Sequence, residues 1–177
     1  MADLALPSVD EAWAIIAEDF PLIKAETVSP VEIVALRDSV VRMLVELGIA
    51  DAANRVEIPI DYARFLILAG GARRHGHEYG TWLYGPASVG RATEGSCRST
   101  ADRRPTDATL WLTIGDYSDR HEMTLCCDRS DPRFGTVIDG HDDHPWHDGG
   151  YCDEVASSFT GYLVWLQEHK YPWKFQG

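Results

Sequence analysis

The spacing of apolar residues changes at Gly70-Gly71, and this change divides the 177-residue sequence into a helical first part and a strand-rich second part. Before the two glycines, apolar residues recur every three or four positions, as they do on one face of a helix. After them, short apolar runs alternate with turn residues, as expected of strands. Strands grouped between helical ends predict one α+β domain with an antiparallel meander.

Two serine–glutamate capping boxes mark helix starts, at residues 8–11 and 29–32. In such a box the serine side chain accepts from a backbone amide of the first turn, and the glutamate accepts from the serine amide. Gly48 and Gly70-Gly71 supply stops, because glycine takes the left-handed conformation at little cost. The three predicted helices span about residues 8–20, 29–47 and 59–69.

The second part predicts four strands and a closing helix. A long connection over about residues 85–107 carries four arginines among glycine, serine and threonine, and we predict that part of it is a mobile loop with room for one short helix. A polar loop is predicted at 141–153. The predicted strands span about residues 79–84, 109–114, 122–127 and 135–139, and the helix about 156–169, with Phe159, Tyr162, Leu163 and Leu166 inward.

Charge and composition narrow the class of partner. The chain has 28 acidic and 16 basic residues, a net charge of −12. Such a field repels phosphate backbones, so we expect a basic protein as the partner and not a nucleic acid.

No run approaches the roughly 20 apolar residues that span a bilayer. The N-terminus does not resemble a signal peptide, so we expect a cytoplasmic protein that binds no membrane. In that compartment the four cysteines are expected to be reduced thiols, most of them buried.

The densest polar cluster lies at residues 139–148, and it has three interpretations. Its histidines and carboxylates are ligands that suit a transition metal, which would allow a metal-dependent enzyme. It is also compatible with a solvated acidic loop, or with an aromatic anchor inside an acidic rim that binds a protein. The metal candidates are His141, His144 and His147. The partner-binding candidates are Asp139, Asp142, Asp143, Trp146 and Asp148.

Four segments in order resemble the SMI1/KNR4 (SUKH) family over roughly residues 55–168: Ile58 to Leu66 before Gly70-Gly71, Trp111 to Gly115, Cys126 to Asp128 with Phe134 to Val137, and Ala156 to Leu163. The resemblance implies an α+β fold with a mixed, mainly antiparallel sheet that is covered by helices. Residues 1–50 lie before the matched segments and are predicted to be helical from their own apolar spacing. The resemblance also implies a largely non-enzymatic protein with no cofactor and no catalytic residue. Bacterial members of the family resemble immunity proteins that bind and neutralise toxins. Fungal members look like scaffolds or regulators.

The sequence therefore predicts a non-catalytic, immunity-like binding protein whose partner is a protein, for example a basic toxin domain. Two alternatives stay open at this point. The first is an intracellular scaffold or regulator with the same fold. The second is a metal-dependent enzyme built on the loop from His141 to Asp148. The oligomeric state is not predicted.

Overall fold

The computed structural model describes residues 6–19, 22–24, 27–74, 82–100, 108–116, 122–140 and 152–168. These ranges contain six helices and seven strands. The helices are α1 (Val9–Asp19), α2 (Pro30–Glu46), α3 (Ala52–Arg55), α4 (Ile60–Ala69), α5 (Pro86–Ser99) and α6 (Phe159–Glu168). The strands are β1 (Leu22–Lys24), β2 (Ala72–Arg74), β3 (Trp82–Leu83), β4 (Trp111–Asp116), β5 (Glu122–Cys126), β6 (Val137–Asp139) and β7 (Asp153–Ala156).

The seven strands form one antiparallel sheet, whose spatial order is the order of the chain, β1 to β7. Each strand pairs with the next one. The two longest strands, β4 and β5, place Trp111 opposite Cys126 and Thr113 opposite Thr124. The register shifts between Thr113 and Gly115, where a bulge increases the local twist. The predicted α+β class and antiparallel sheet are confirmed.

Both predicted capping boxes are present. The Ser8 and Ser29 amides each donate to a glutamate three positions later, at 2.8 Å in both cases. In the second box the Glu32 amide also donates to Ser29 Oγ at 3.4 Å. Gly48 follows the end of α2 with φ +93°, and Gly70 ends α4 in the left-handed conformation. The boundaries of these helices therefore follow from signals within a few residues of each end.

An aromatic cluster joins α1, α4 and α6. The rings of Trp13 and Phe65 meet edge to face at 5.2 Å, and Phe159 lies 4.8 Å from Tyr62 and 5.0 Å from Phe65. Aromatic rings in such contact add stability beyond the area they bury. The four residues predicted to face inward from α6 are buried, namely Phe159, Tyr162, Leu163 and Leu166.

The connection predicted over residues 85–107, with room for one short helix, contains a longer helix than expected, because α5 runs for 14 residues from Pro86 to Ser99. Glycine, serine and threonine lower the intrinsic helix propensity of this segment, which is why it reads as a connection. The same small residues let the helix approach the sheet closely. Thr93 Oγ1 accepts from the backbone amide of Thr113 in β4 at 3.0 Å, and Val89 and Cys97 are fully buried. Tertiary packing therefore decides the conformation here.

Smaller differences concern short elements. The strands β1, β2 and β7 and the helix α3 are not predicted, and residues 153–155 were placed in a loop or outside any element. The strand predicted at 79–84 is described only at Trp82–Leu83. The closing helix begins at Phe159 rather than Ala156, because Ala156 pairs with Val137 in the sheet. Strands of two to four residues hold too few side chains for a pattern to show.

Candidate functional site

Acidic residues meet at one end of the sheet, where β4, β5, β6 and β7 lie side by side. Asp116 at the end of β4 is directly opposite Glu122 at the start of β5. Asp139 at the end of β6 is directly opposite Asp153 at the start of β7. The Gly140 amide donates to the Glu122 carbonyl at 2.9 Å, which fixes the two pairs at the same level. We call these four residues the acidic end.

The two carboxylate pairs occupy opposite faces of the sheet. Asp139 is opposite Met123, and Met123 follows Glu122 in the strand, so the side chains alternate. Neighbouring strands are about 4.8 Å apart, so the acidic end extends over about 14 Å. Asp153 is exposed, and the other three residues are half-buried. Each pair places two acidic residues directly opposite one another in the strand register.

Hydroxyl groups support the first pair. Tyr84, after β3, donates its hydroxyl to Asp116. Burial, together with the neighbouring Asp116 and Glu122 carboxylates, raises the pKa of the Tyr84 phenol, so the phenol keeps the proton that it donates. Ser96 in α5 donates to Glu122 at 2.9 Å and lies 3.2 Å from Thr113 Oγ1. Helix α5 therefore positions the Glu122 carboxylate, and Tyr84 positions that of Asp116.

The structure describes only one of the predicted site residues. Asp139 is half-buried at the end of β6. The others lie outside the described residues: Asp142, Asp143, Trp146 and Asp148, and the metal candidates His141, His144 and His147. The two ends of that segment are adjacent, because Asp139 and Asp153 pair. The predicted segment is therefore joined to the rest of the chain at the acidic end. Within the described ranges, no group of three or more histidine, cysteine or acidic residues is arranged to hold a metal ion.

Sequence reasoning missed three members of the acidic end. Asp116 lies between two predicted strands, Asp153 lies in the predicted polar loop, and Glu122 was assigned only to a strand. One signal was available for two of them, because Asp116 follows a predicted strand and Glu122 begins one. Strand register decides whether such residues meet, and register depends on turn geometry that is not visible in the sequence.

The buried cysteines show no sign of an activated nucleophile. Burial raises the pKa of the Cys126 thiol to about 12 and also raises the pKa of the Cys127 thiol well above its ordinary value. Both groups are therefore protonated thiols at neutral pH, whereas a nucleophilic cysteine needs a lowered pKa. Cys97, Cys126 and Cys127 are fully buried and Cys152 is half-buried, and no disulfide links the four. The prediction that most of the thiols are buried is confirmed.

A second surface feature lies between α2 and α5. A groove of about 390 Å³ is lined by small and apolar residues together with Glu32, Arg91 and Glu94. The small and apolar residues include Ala35, Leu36, Val40, Met43, Ala87 and Gly90. The sequence patterns did not indicate this groove, because the position and length of α5, the second helix that forms it, were not predicted.

The sequence matches no protein-family model, and no curated protein matches it. None of the helices in the described part of the chain has the length and apolar character needed to cross a lipid bilayer.

Proposed function

We propose that the protein is a non-catalytic binding protein of the SMI1/KNR4 (SUKH) type, whose acidic end and adjoining segment bind a basic protein. The observation that supports this most directly is that the strand register sets acidic residues opposite one another at one end of the sheet, Asp116 opposite Glu122 and Asp139 opposite Asp153. A basic side chain that approaches this end is attracted by several acidic residues at once, so their concentration there favours a basic partner.

The net charge of −12 gives the same preference at longer range. A field of this sign accelerates the approach of a basic partner and makes the association sensitive to salt. The family resemblance adds the immunity-like role, in which the partner is a toxin and binding covers its active surface. A scaffold would use the same surface, but its partner would stay active in the complex.

Two double variants test the proposal. Asp139→Asn with Asp153→Asn neutralises one pair in the acidic end. Glu46→Gln with Glu57→Gln removes two exposed acids elsewhere, and both variants change the net charge from −12 to −10. The wild type and both variants are immobilised and exposed to host lysate at low and high salt, and retained proteins are identified by mass spectrometry. We expect a basic protein that is retained at low salt, released at high salt, and lost only with the acidic-end variant.

Equal retention by the two variants would refute a role for the acidic end. Thermal unfolding separates binding from folding, because a variant that unfolds at the wild-type temperature but retains less of the partner has lost a binding contact and not the fold. Loss of both stability and binding would make Asp139 and Asp153 structural. Adding the purified chain to the captured partner then distinguishes the two roles: stoichiometric loss of the partner's activity supports immunity, and unchanged activity supports a scaffold.

A further inference from the structure

Helix α2 is apolar on two sides, and only one of them is buried in the fold. The buried side consists of Leu36, Val40, Met43 and Leu44. On the outer side Val31, Val34 and Val45 are 76%, 58% and 45% exposed. They are three of the six large apolar residues that the described ranges expose. Valine lowers helix propensity relative to alanine, so these residues do not favour the isolated helix.

The outer residues follow a heptad pattern. Val31, Val34, Asp38, Val41 and Val45 are separated by three, four, three and four positions, the spacing of the contact positions in a coiled coil. Val41 is half-buried, and the Asp38 side chain is 58% exposed. We call these five residues the valine stripe. One polar residue within such a stripe restricts the register in which a partner helix can pack.

We propose that the valine stripe is a dimer interface, at which α2 packs antiparallel against α2 of a second copy of this chain. The charges favour one register. With Val34 opposite Val45 of the second copy, Asp38 lies opposite Val41 and beside Arg42 of that copy. The two-fold axis repeats this contact, so each Asp38 has an arginine across the interface and no like charges face one another.

The neighbours of Asp38 are compatible with this arrangement. Arg37 Nη1 donates to Asp38 Oδ1 at 3.1 Å. Arg37 also donates to the carbonyls of Ala53 and Val56, so its side chain is bound within its own chain. Arg42 is exposed on the flank of the stripe. Moving the register by one heptad in either direction separates Asp38 from Arg42 of the second copy. A second copy therefore satisfies both the apolar and the charged residues of the stripe.

The dimer should be weak and strengthened by salt. One helix pair lies at the low end of specific interfaces, below about 1,200 Å², so dissociation on dilution is expected. Each copy carries a charge of −12, and salt screens the resulting repulsion. This dependence is opposite to that expected for a basic partner at the acidic end, so failure of one proposal leaves the other intact.

Sedimentation equilibrium of the full chain over a range of concentrations is the first test. We expect a reversible monomer–dimer equilibrium that Val34→Asp weakens at least tenfold. Ile60→Asp is the matched control, because Ile60 is 88% exposed on α4, and it should have no effect. A wild type that stays monomeric at the highest concentration, or an equal effect of the two variants, would overturn the proposal.

Cysteine cross-linking tests the register in a Cys152→Ser background. The double variant Val34→Cys with Val45→Cys should form a disulfide-linked dimer on mild oxidation, because position 34 faces position 45 of the second copy. Neither single variant should form a disulfide-linked dimer, since two copies of position 34 would be about 16 Å apart along the helix axis at 1.5 Å per residue. Efficient cross-linking of the single variants would indicate parallel packing and contradict the proposed register.

Discussion

Replacement of Arg55 by leucine should destabilise the fold strongly, because it leaves a buried carboxylate without its cation. Arg55 donates through Nε to Asp128 at 3.1 Å and through Nη2 to the Ala108 carbonyl at 2.8 Å. The Asp128 side chain is 2% exposed and that of Arg55 15%. Asp128 also accepts from Ser130, through its amide and hydroxyl. The pair therefore joins α3 to the residues that precede β4 and follow β5.

Breaking a buried ion pair by removal of one partner costs about 3–5 kcal/mol. The two bonds from Ser130 remain in the variant, so we expect a loss of about 3 kcal/mol, at the lower limit of that range. A domain is stable by about 5–15 kcal/mol, so the effect is large. With a urea slope of about 2–3 kcal/mol per molar, the midpoint should fall by about 1 M or more.

The stability lost on replacement of Arg55 should depend on pH, and the protonation of Asp128 determines the direction. Burial alone would raise the pKa of Asp128, but hydrogen bonds from Arg55 and Ser130 outweigh it and hold the pKa below its ordinary value. The wild type therefore gains stability above the unfolded pKa of aspartate and loses it as the pH falls through the lowered folded value. Without Arg55, burial raises the pKa. The variant then regains stability as Asp128 takes up a proton. The difference in unfolding free energy between the wild type and the variant therefore narrows from pH 7 towards about pH 4.

Urea unfolding followed by tryptophan fluorescence measures the effect. The control is Arg64→Leu, which removes an ion pair with Asp10 whose side chains are both 50% exposed. Exposed pairs contribute at most about 1 kcal/mol, so the control should unfold close to the wild type. Equal midpoints for the two variants would refute the assignment of a stabilising role to the buried pair. A difference that widens at low pH would refute the assignment of the charge to Asp128.

Two further predictions concern backbone positions. Gly71→Ala should destabilise by more than about 1 kcal/mol, because φ is +112° and an added Cβ would lie 2.6 Å from the Gly85 amide nitrogen. Gly95→Ala within α5 meets nothing within 4 Å and should stabilise by about 0.4–1 kcal/mol; thermal unfolding of both variants checks the contrast, and a loss at Gly95 would contradict the account of α5. Ser29→Ala removes the cap of α2 and should cost about 0.5–2 kcal/mol in urea unfolding, whereas Ser39→Ala in the same helix should cost less.

The helices that sequence patterns predicted are those with signals at their own ends. Ser29 and Glu32 begin α2 by bonding to one another, and Gly70 ends α4 through its own backbone conformation. These interactions span three or four residues, so a pattern can contain them completely. Helix α5 has no side-chain cap and contains two internal glycines. Its stability comes from buried contacts with β4, such as Thr93 with Thr113, which are 20 residues apart in sequence.

In the candidate site, too, one feature can be predicted from the sequence and another depends on tertiary structure. The density of charge around Asp139 is visible in the sequence, and it singled out one residue that the structure places in the acidic end. The pairing of Asp139 with Asp153, and of Asp116 with Glu122, depends on how four strands align. A shift of one residue in any of these strands would send the carboxylate to the other face and separate the pairs. Composition can therefore indicate an acidic surface, but only the register shows which acids oppose one another.

The two proposed surfaces make opposite use of the same net charge. At the acidic end, a basic partner is attracted by several acidic residues at once, so binding weakens as salt screens that attraction. At the valine stripe the contact is apolar, and the charge of −12 on each copy opposes it, so salt strengthens association. A chain with both surfaces can therefore bind a basic partner most tightly under the conditions in which it is least dimeric. A salt titration that moved both equilibria in the same direction would show that a single surface underlies them.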